Sequence, residues 1–97
     1  MPIKAYVLFK VSSGAERDIC RKISNLDEVL EASVIYGEYD LIAKVRVKDL
    51  SELETFLTEK IRAIPSVILT STMIVAREYR GRVERERINP SKARRET

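Results

Sequence analysis

Apolar and polar residues alternate along Ile3–Val11. The odd positions Ile3, Ala5, Val7, Phe9 and Val11 form one apolar face, and Lys4, Tyr6, Leu8 and Lys10 form a mixed one. A period of two over nine residues predicts a strand. The run Ser13-Gly14-Ala15-Glu16 then has the form of a capping box, with Glu16 three residues after Ser13. It predicts a helix whose stripe is Ala15, Ile19, Ile23 and Leu26, with Cys20 beside it. Residues 29–35 and 41–47 predict a hairpin around Gly37. In its latter strand Leu41, Ala43, Val45 and Val47 face one way and Ile42, Lys44 and Arg46 the other. Ser51-Glu52-Leu53-Glu54 is a second capping box. Leu50, Leu53, Phe56, Leu57, Ile61 and Ile64 mark an amphipathic helix that Pro65 ends. Residues 67–76 predict a last strand, apolar on both faces apart from Thr70, Ser71 and Thr72.

The predicted order is strand, helix, strand, strand, helix, strand. Right-handed crossovers turn this order into an α+β, ferredoxin-like βαββαβ fold: a four-stranded antiparallel sheet with two helices on one face. The other sheet face is left without helices. It is expected to carry Tyr6, Leu8, Ile35, Ile42, Ile68 and Ile74 among Lys44 and Arg46. So apolar a face predicts a dimer with its sheets packed together; the plainer alternative is a half-wet sheet with scattered apolar residues.

Composition narrows the chemistry. With 97 residues, 44% apolar and 34% charged, the chain suits one small soluble domain. No apolar run approaches the ~20 residues of a membrane span, and no signal peptide is expected, since the start passes straight into a predicted strand. A cytoplasmic protein is expected, because the single cysteine excludes an internal disulfide framework. There is no histidine, so a zinc site of the usual kind is not expected, nor is an activated cysteine nucleophile. No cofactor fingerprint is present, and an enzyme reading ranks last. The absence of glutamine beside abundant Glu, Lys, Arg, Ile and Val resembles a protein from a heat-loving organism. The charge divides the chain into a domain over residues 1–79 and a basic tail over 80–97. The tail carries Arg80, Arg82, Arg85, Arg87, Lys92, Arg94 and Arg95 against Glu84, Glu86 and Glu96. It is either solvated or a nucleic-acid contact through phosphate neutralisation. An RNA-binding sheet of the same strand order is disfavoured, since 41–47 has no aromatic.

The turn Tyr36-Gly37-Glu38-Tyr39-Asp40 carries the most chemistry. Gly37 supplies positive φ. Asp40 puts a carboxylate at the mouth of an apolar strand, where it either bonds turn amides or pairs with a ligand amine. Tyr36 and Tyr39 are packing aromatics or ligand contacts. Thr70 and Thr72 are strand formers or hydroxyl donors to a ligand.

Several of these stretches together resemble one family. Val29-Leu30-Glu31, the Tyr36 to Asp40 turn, Lys44-Val45-Arg46-Val47 and Asp49-Leu50-Ser51 look like the effector domain of the leucine-responsive regulatory protein/AsnC family. So do Ile64-Pro65-Ser66-Val67 and Thr70-Ser71-Thr72-Met73-Ile74-Val75. The similarity spans residues 3 to 79. It implies the fold read above, homodimers joined through their sheets, further assembly into octamers, and amino acids or related molecules bound where dimers meet. On that pattern Tyr36, Gly37, Glu38, Tyr39 and Asp40 belong to the ligand corner, with Thr70 and Thr72 as hydroxyl-bearing partners. It implies no catalysis, no metal and no cofactor. Two departures stand out. The winged helix-turn-helix that opens family regulators is absent before the first strand. A stand-alone effector domain without direct sequence-specific DNA binding is therefore expected, acting through assembly or with full-length regulators. Ser66 also stands where many members have glycine.

Overall fold

The computed structural model describes residues 2–84. Its elements are β1 (Ile3–Val11), α1 (Glu16–Ser24), β2 (Val29–Val34), β3 (Leu41–Val47), α2 (Leu50–Thr55), a π-helical continuation of α2 (Phe56–Ile61), and β4 (Val67–Ile74). The strands form one antiparallel sheet in the order β2-β3-β1-β4. This is the ferredoxin-like α+β arrangement. No described helix is long and apolar enough to cross a membrane.

Alternation fixes the core. Ala5, Val7 and Phe9 of β1 and Ala43 and Val45 of β3 have no solvent exposure, and they share a face because Val7 pairs with Ala43 and Phe9 with Leu41. Ile19 and Ile23 of α1, Leu53 of α2, and Phe56 and Ile61 of the continuation close over that face. Burying such side chains contributes about 1.5–3 kcal/mol each relative to exposure.

Both predicted capping boxes fail in detail. α1 starts after Ala15 with no side-chain cap. Gly14 takes φ +88, and its N–H donates to Glu16 Oε1 at 3.1 Å, while Ser13 makes no cap. The cap of α2 is Asp49, whose Oδ1 accepts from the Glu52 N–H at 2.9 Å. Asp49-Leu50-Ser51-Glu52 overlaps the predicted box two residues earlier, and the start nearer β3 wins. Beyond Thr55 the helix widens: the Arg62 N–H donates to the Leu57 carbonyl, an i→i+5 bond.

β4 corrects the predicted open face. Ile74 pairs with Ala5, Thr72 with Val7 and Thr70 with Phe9, so these three lie on the helix side. Leu69, Ser71 and Met73 pair with Lys10, Leu8 and Tyr6 and occupy the open side instead. A register shift between Lys10 and Val11 places Ile68 in a bulge between Val67 and Leu69. A strand apolar on both faces carries no period-two signal to say which face is which. Ser66 holds φ +75, the conformation glycine would supply. Its carbonyl accepts from the Ser12 N–H at 2.9 Å, which ties this turn to the end of β1.

Candidate functional site

Antiparallel pairing sets the end of β1 beside the start of β3. α1 begins just after β1, so its first turn arrives next to Asp40. Gly37 takes φ +148 and a Cβ there would meet nothing within 4 Å; backbone freedom, not space, is what this position uses. The Ile35 N–H donates to the Asp40 carbonyl at 2.9 Å, and the Asp40 N–H donates to the Phe9 carbonyl at 2.8 Å. Asp40 Oδ2 accepts from the Val11 N–H at 2.9 Å. That bond sits where the β1–β4 register shifts. Asp40 thus has a structural duty for one oxygen, while Oδ1 has no partner among the described residues.

A groove of about 330 Å³ opens against Asp40. Glu16 and Arg17 of α1, Val34 and Ile35 of β2, and Tyr36 complete it. Tyr36 is fully exposed, Glu38 is exposed, and Tyr39 is half-buried. The groove therefore has acid at Asp40 and Glu16, a guanidinium at Arg17, and an apolar floor. From the sequence Glu16 was read only as a capping residue, and Arg17 was not singled out. The signal that finds them is topological: they open the helix after β1, and β1 pairs with β3.

Thr70 and Thr72 are not in this groove. β1 lies between Asp40 and Thr70, so the two are separated by two strand spacings, about 10 Å. Thr70 borders a different groove, between β4 and the π-helical segment. Within one chain the predicted corner is split in two.

The open sheet face holds a second charged cluster. Glu78, on the segment after β4, receives Lys4 Nζ at 2.7 Å and Lys44 Nζ at 3.2 Å. Lys44 lies 5.9 Å from the Tyr6 ring centroid. The hydrogen bonds from Lys4 and Lys44 hold the Glu78 carboxyl below its usual range, and the bond to Glu78 raises Lys44. On the helix side Lys60 pairs with Glu28 at 2.7 Å, which raises the lysine. Burial pushes the Cys20 thiol up, away from the thiolate form a nucleophile needs. No group of metal ligands occurs among the described residues. The greater part of the basic tail, residues 85–97, lies outside the described residues.

Comparison with known proteins gives the geometry its context. The Lrp/AsnC ligand binding domain model matches residues 4–84. The HTH-type transcriptional regulator FL11 of Pyrococcus abyssi is 34% identical over 80 residues, covering 82% of this chain and 52% of that protein. The chain thus spans about half the length of that curated relative. The crystal structure of FFRP-DM1 is 46% identical with a TM-score of 0.72, covering 75% of this chain and 97% of that one. AsnC of Escherichia coli is 27% identical with a TM-score of 0.76, covering 82% of this chain and 54% of that one. Of these, FL11 is a transcriptional regulator. A match over most of the described sheet and helices settles the lineage: the chain belongs to the Lrp/AsnC ligand-binding-domain family.

Proposed function

We propose that this domain senses an amino acid at the Asp40 groove and reports it through assembly, as part of transcriptional regulation. The observation that carries the reading is the charge layout of that groove. A zwitterion needs an acid for its ammonium and a base for its carboxylate, and Asp40 and Arg17 flank the same apolar floor. Asp40 Oδ1 takes the ammonium in a charge-assisted bond while Oδ2 keeps Val11 in place. Arg17 takes the carboxylate. Val34, Ile35 and Tyr36 face the side chain. Gly37, Glu38 and Tyr39 shape the turn that presents Asp40.

Thr70 and Thr72 join this site only if another chain brings them, because their own Asp40 lies across β1. A site completed between copies is one whose ligand changes the stability of the assembly, by its differential affinity for the assembled state. The assembly proposed is a dimer through the open sheet faces, associating further into octamers or with full-length family regulators. Its sheet face offers Leu8, Ile42, Leu69 and Met73 as the apolar part.

The test is a thermal-shift and light-scattering screen against the twenty amino acids. At least one is expected to raise the melting temperature and change the scattering mass. Asp40→Asn and Arg17→Gln are each expected to abolish that response. If no amino acid shifts either signal, or if both variants respond like wild type, the reading fails.

A further inference from the structure

The groove between the π-helical segment and β4 is a second, chemically different site. It measures about 360 Å³, at the lower end of the size range of small-molecule pockets. Leu57, Ile61, Ile64, Val67 and Ile68 supply its apolar wall, and Arg62 supplies its charge. Arg62 is exposed and has no ion pair or hydrogen-bond partner for its guanidinium among the described residues. Thr58 and Thr70 place hydroxyls at the rim; the Thr58 hydroxyl donates to the Glu54 carbonyl at 2.8 Å, which leaves its oxygen free to accept.

Three departures from regular backbone meet around this one groove. The helix takes i→i+5 geometry over Phe56–Ile61, Ser66 holds φ +75, and β4 bulges at Ile68. Each re-aims side chains that a regular helix or strand would aim elsewhere. β4 and the helix leave this groove between them, although both sides are apolar.

The charge decides the occupant. No carboxylate borders the groove, so an ammonium has no counter-charge there. One unpaired guanidinium on an apolar wall calls for a carboxylate with a branched hydrocarbon body. The carbonyl end of the helix repels an anion on the axis, so the carboxylate meets the guanidinium where it projects beyond that end. We propose that this groove binds small branched carboxylates that need carry no amine, such as short fatty acids or 2-oxo acids. The two grooves share no residue within one chain, although Thr70 at this rim is the hydroxyl that another copy would bring to Asp40.

Methyl-labelled protein titrated with 4-methylpentanoate, observed by NMR, tests this. Saturable shifts are expected at the methyls of Leu57, Ile61, Ile64 and Val67. Arg62→Gln is expected to weaken binding by at least about tenfold, the equivalent of one lost charge-assisted contact. 3-Methylbutylamine is expected to give no saturable shift. The proposal is overturned if 4-methylpentanoate gives no saturable shift, if Arg62→Gln binds equally well, or if the amine binds as the acid does. It is also overturned if the same methyls move with protein concentration alone, which would make a second copy the occupant.

Discussion

At the centre of the sheet, Ala5, Val7 and Phe9 of β1 are sealed beneath the helices. One strand away on β4, Ile68, Leu69, Met73 and Ile74 stand more than half exposed. The two strands are similarly apolar in sequence and differ in what lies over them. β1 has a strand on both sides and the helices above. β4 has a partner on one edge only and a groove where the helix would otherwise touch it. Stability therefore concentrates in β1 and β3, and chemical availability in β4. No charged residue or proline interrupts Val67–Ile74, so this edge lacks the usual protection against pairing with another chain.

Truncating one side chain on each strand measures this difference directly. Phe9→Ala is expected to cost about 3–5 kcal/mol by urea unfolding, and Met73→Ala less than about 1 kcal/mol in dilute protein. Equal costs would mean that β4 is buried in an assembly even when dilute. A smaller effect separates the two duties of Asp40. Asp40→Ala strands the half-buried Val11 N–H and is expected to cost about 1–3 kcal/mol. Asp40→Asn keeps an acceptor there and is expected to retain most of that stability while losing the ammonium partner. If both variants unfold alike, the Val11 bond is not what Asp40 contributes.

The turn into β4 is tested by Ser66→Gly, which removes the steric cost of a side chain at φ +75 and is expected to stabilise by about 1 kcal/mol. Destabilisation would show that the Ser66 side chain has a role of its own. The smallest effect concerns Glu78. Its folded pKa is depressed below the ordinary 4.5, so its contribution is present above the unfolded value and fades as pH falls through the folded one. Glu78→Gln is expected to lower the urea midpoint slightly at about pH 7, with the gap closing toward about pH 3. A constant gap across that range would assign the loss to packing instead of to charge.

The element order and most of the core were legible before the structure. Phe9, Val7, Ala43 and Val45 sit where period-two alternation put them, and Ile19 and Ile23 where a helical stripe did. Helix starts were less legible, because Asp49 and Ser51 both offer a cap and only the end of β3 chooses between them. The π-helical widening over Phe56–Ile61 left no signal, since Leu53, Phe56, Leu57 and Ile61 suit a regular amphipathic helix equally well. Gly37 was legible as a positive-φ residue. Ser66 takes positive φ too, without the residue type that advertises it. Of the ligand corner, the turn was visible in sequence, and the place of Glu16 and Arg17 in it was not.

Alternation, breaks and turn chemistry depend on neighbours only a few residues apart, so local order along the chain settles them. Those local terms were enough to specify four strands, two helices and the acid at Asp40. Tertiary structure decided which side of the sheet β4 presents, that Asp40 holds Val11 with one oxygen, that Arg17 stands beside it, and that Glu78 joins Lys4 to Lys44. Each of these depends on register between distant segments. A register shift of one residue between Lys10 and Val11 reassigns the strand beyond it, and no local pattern records that shift.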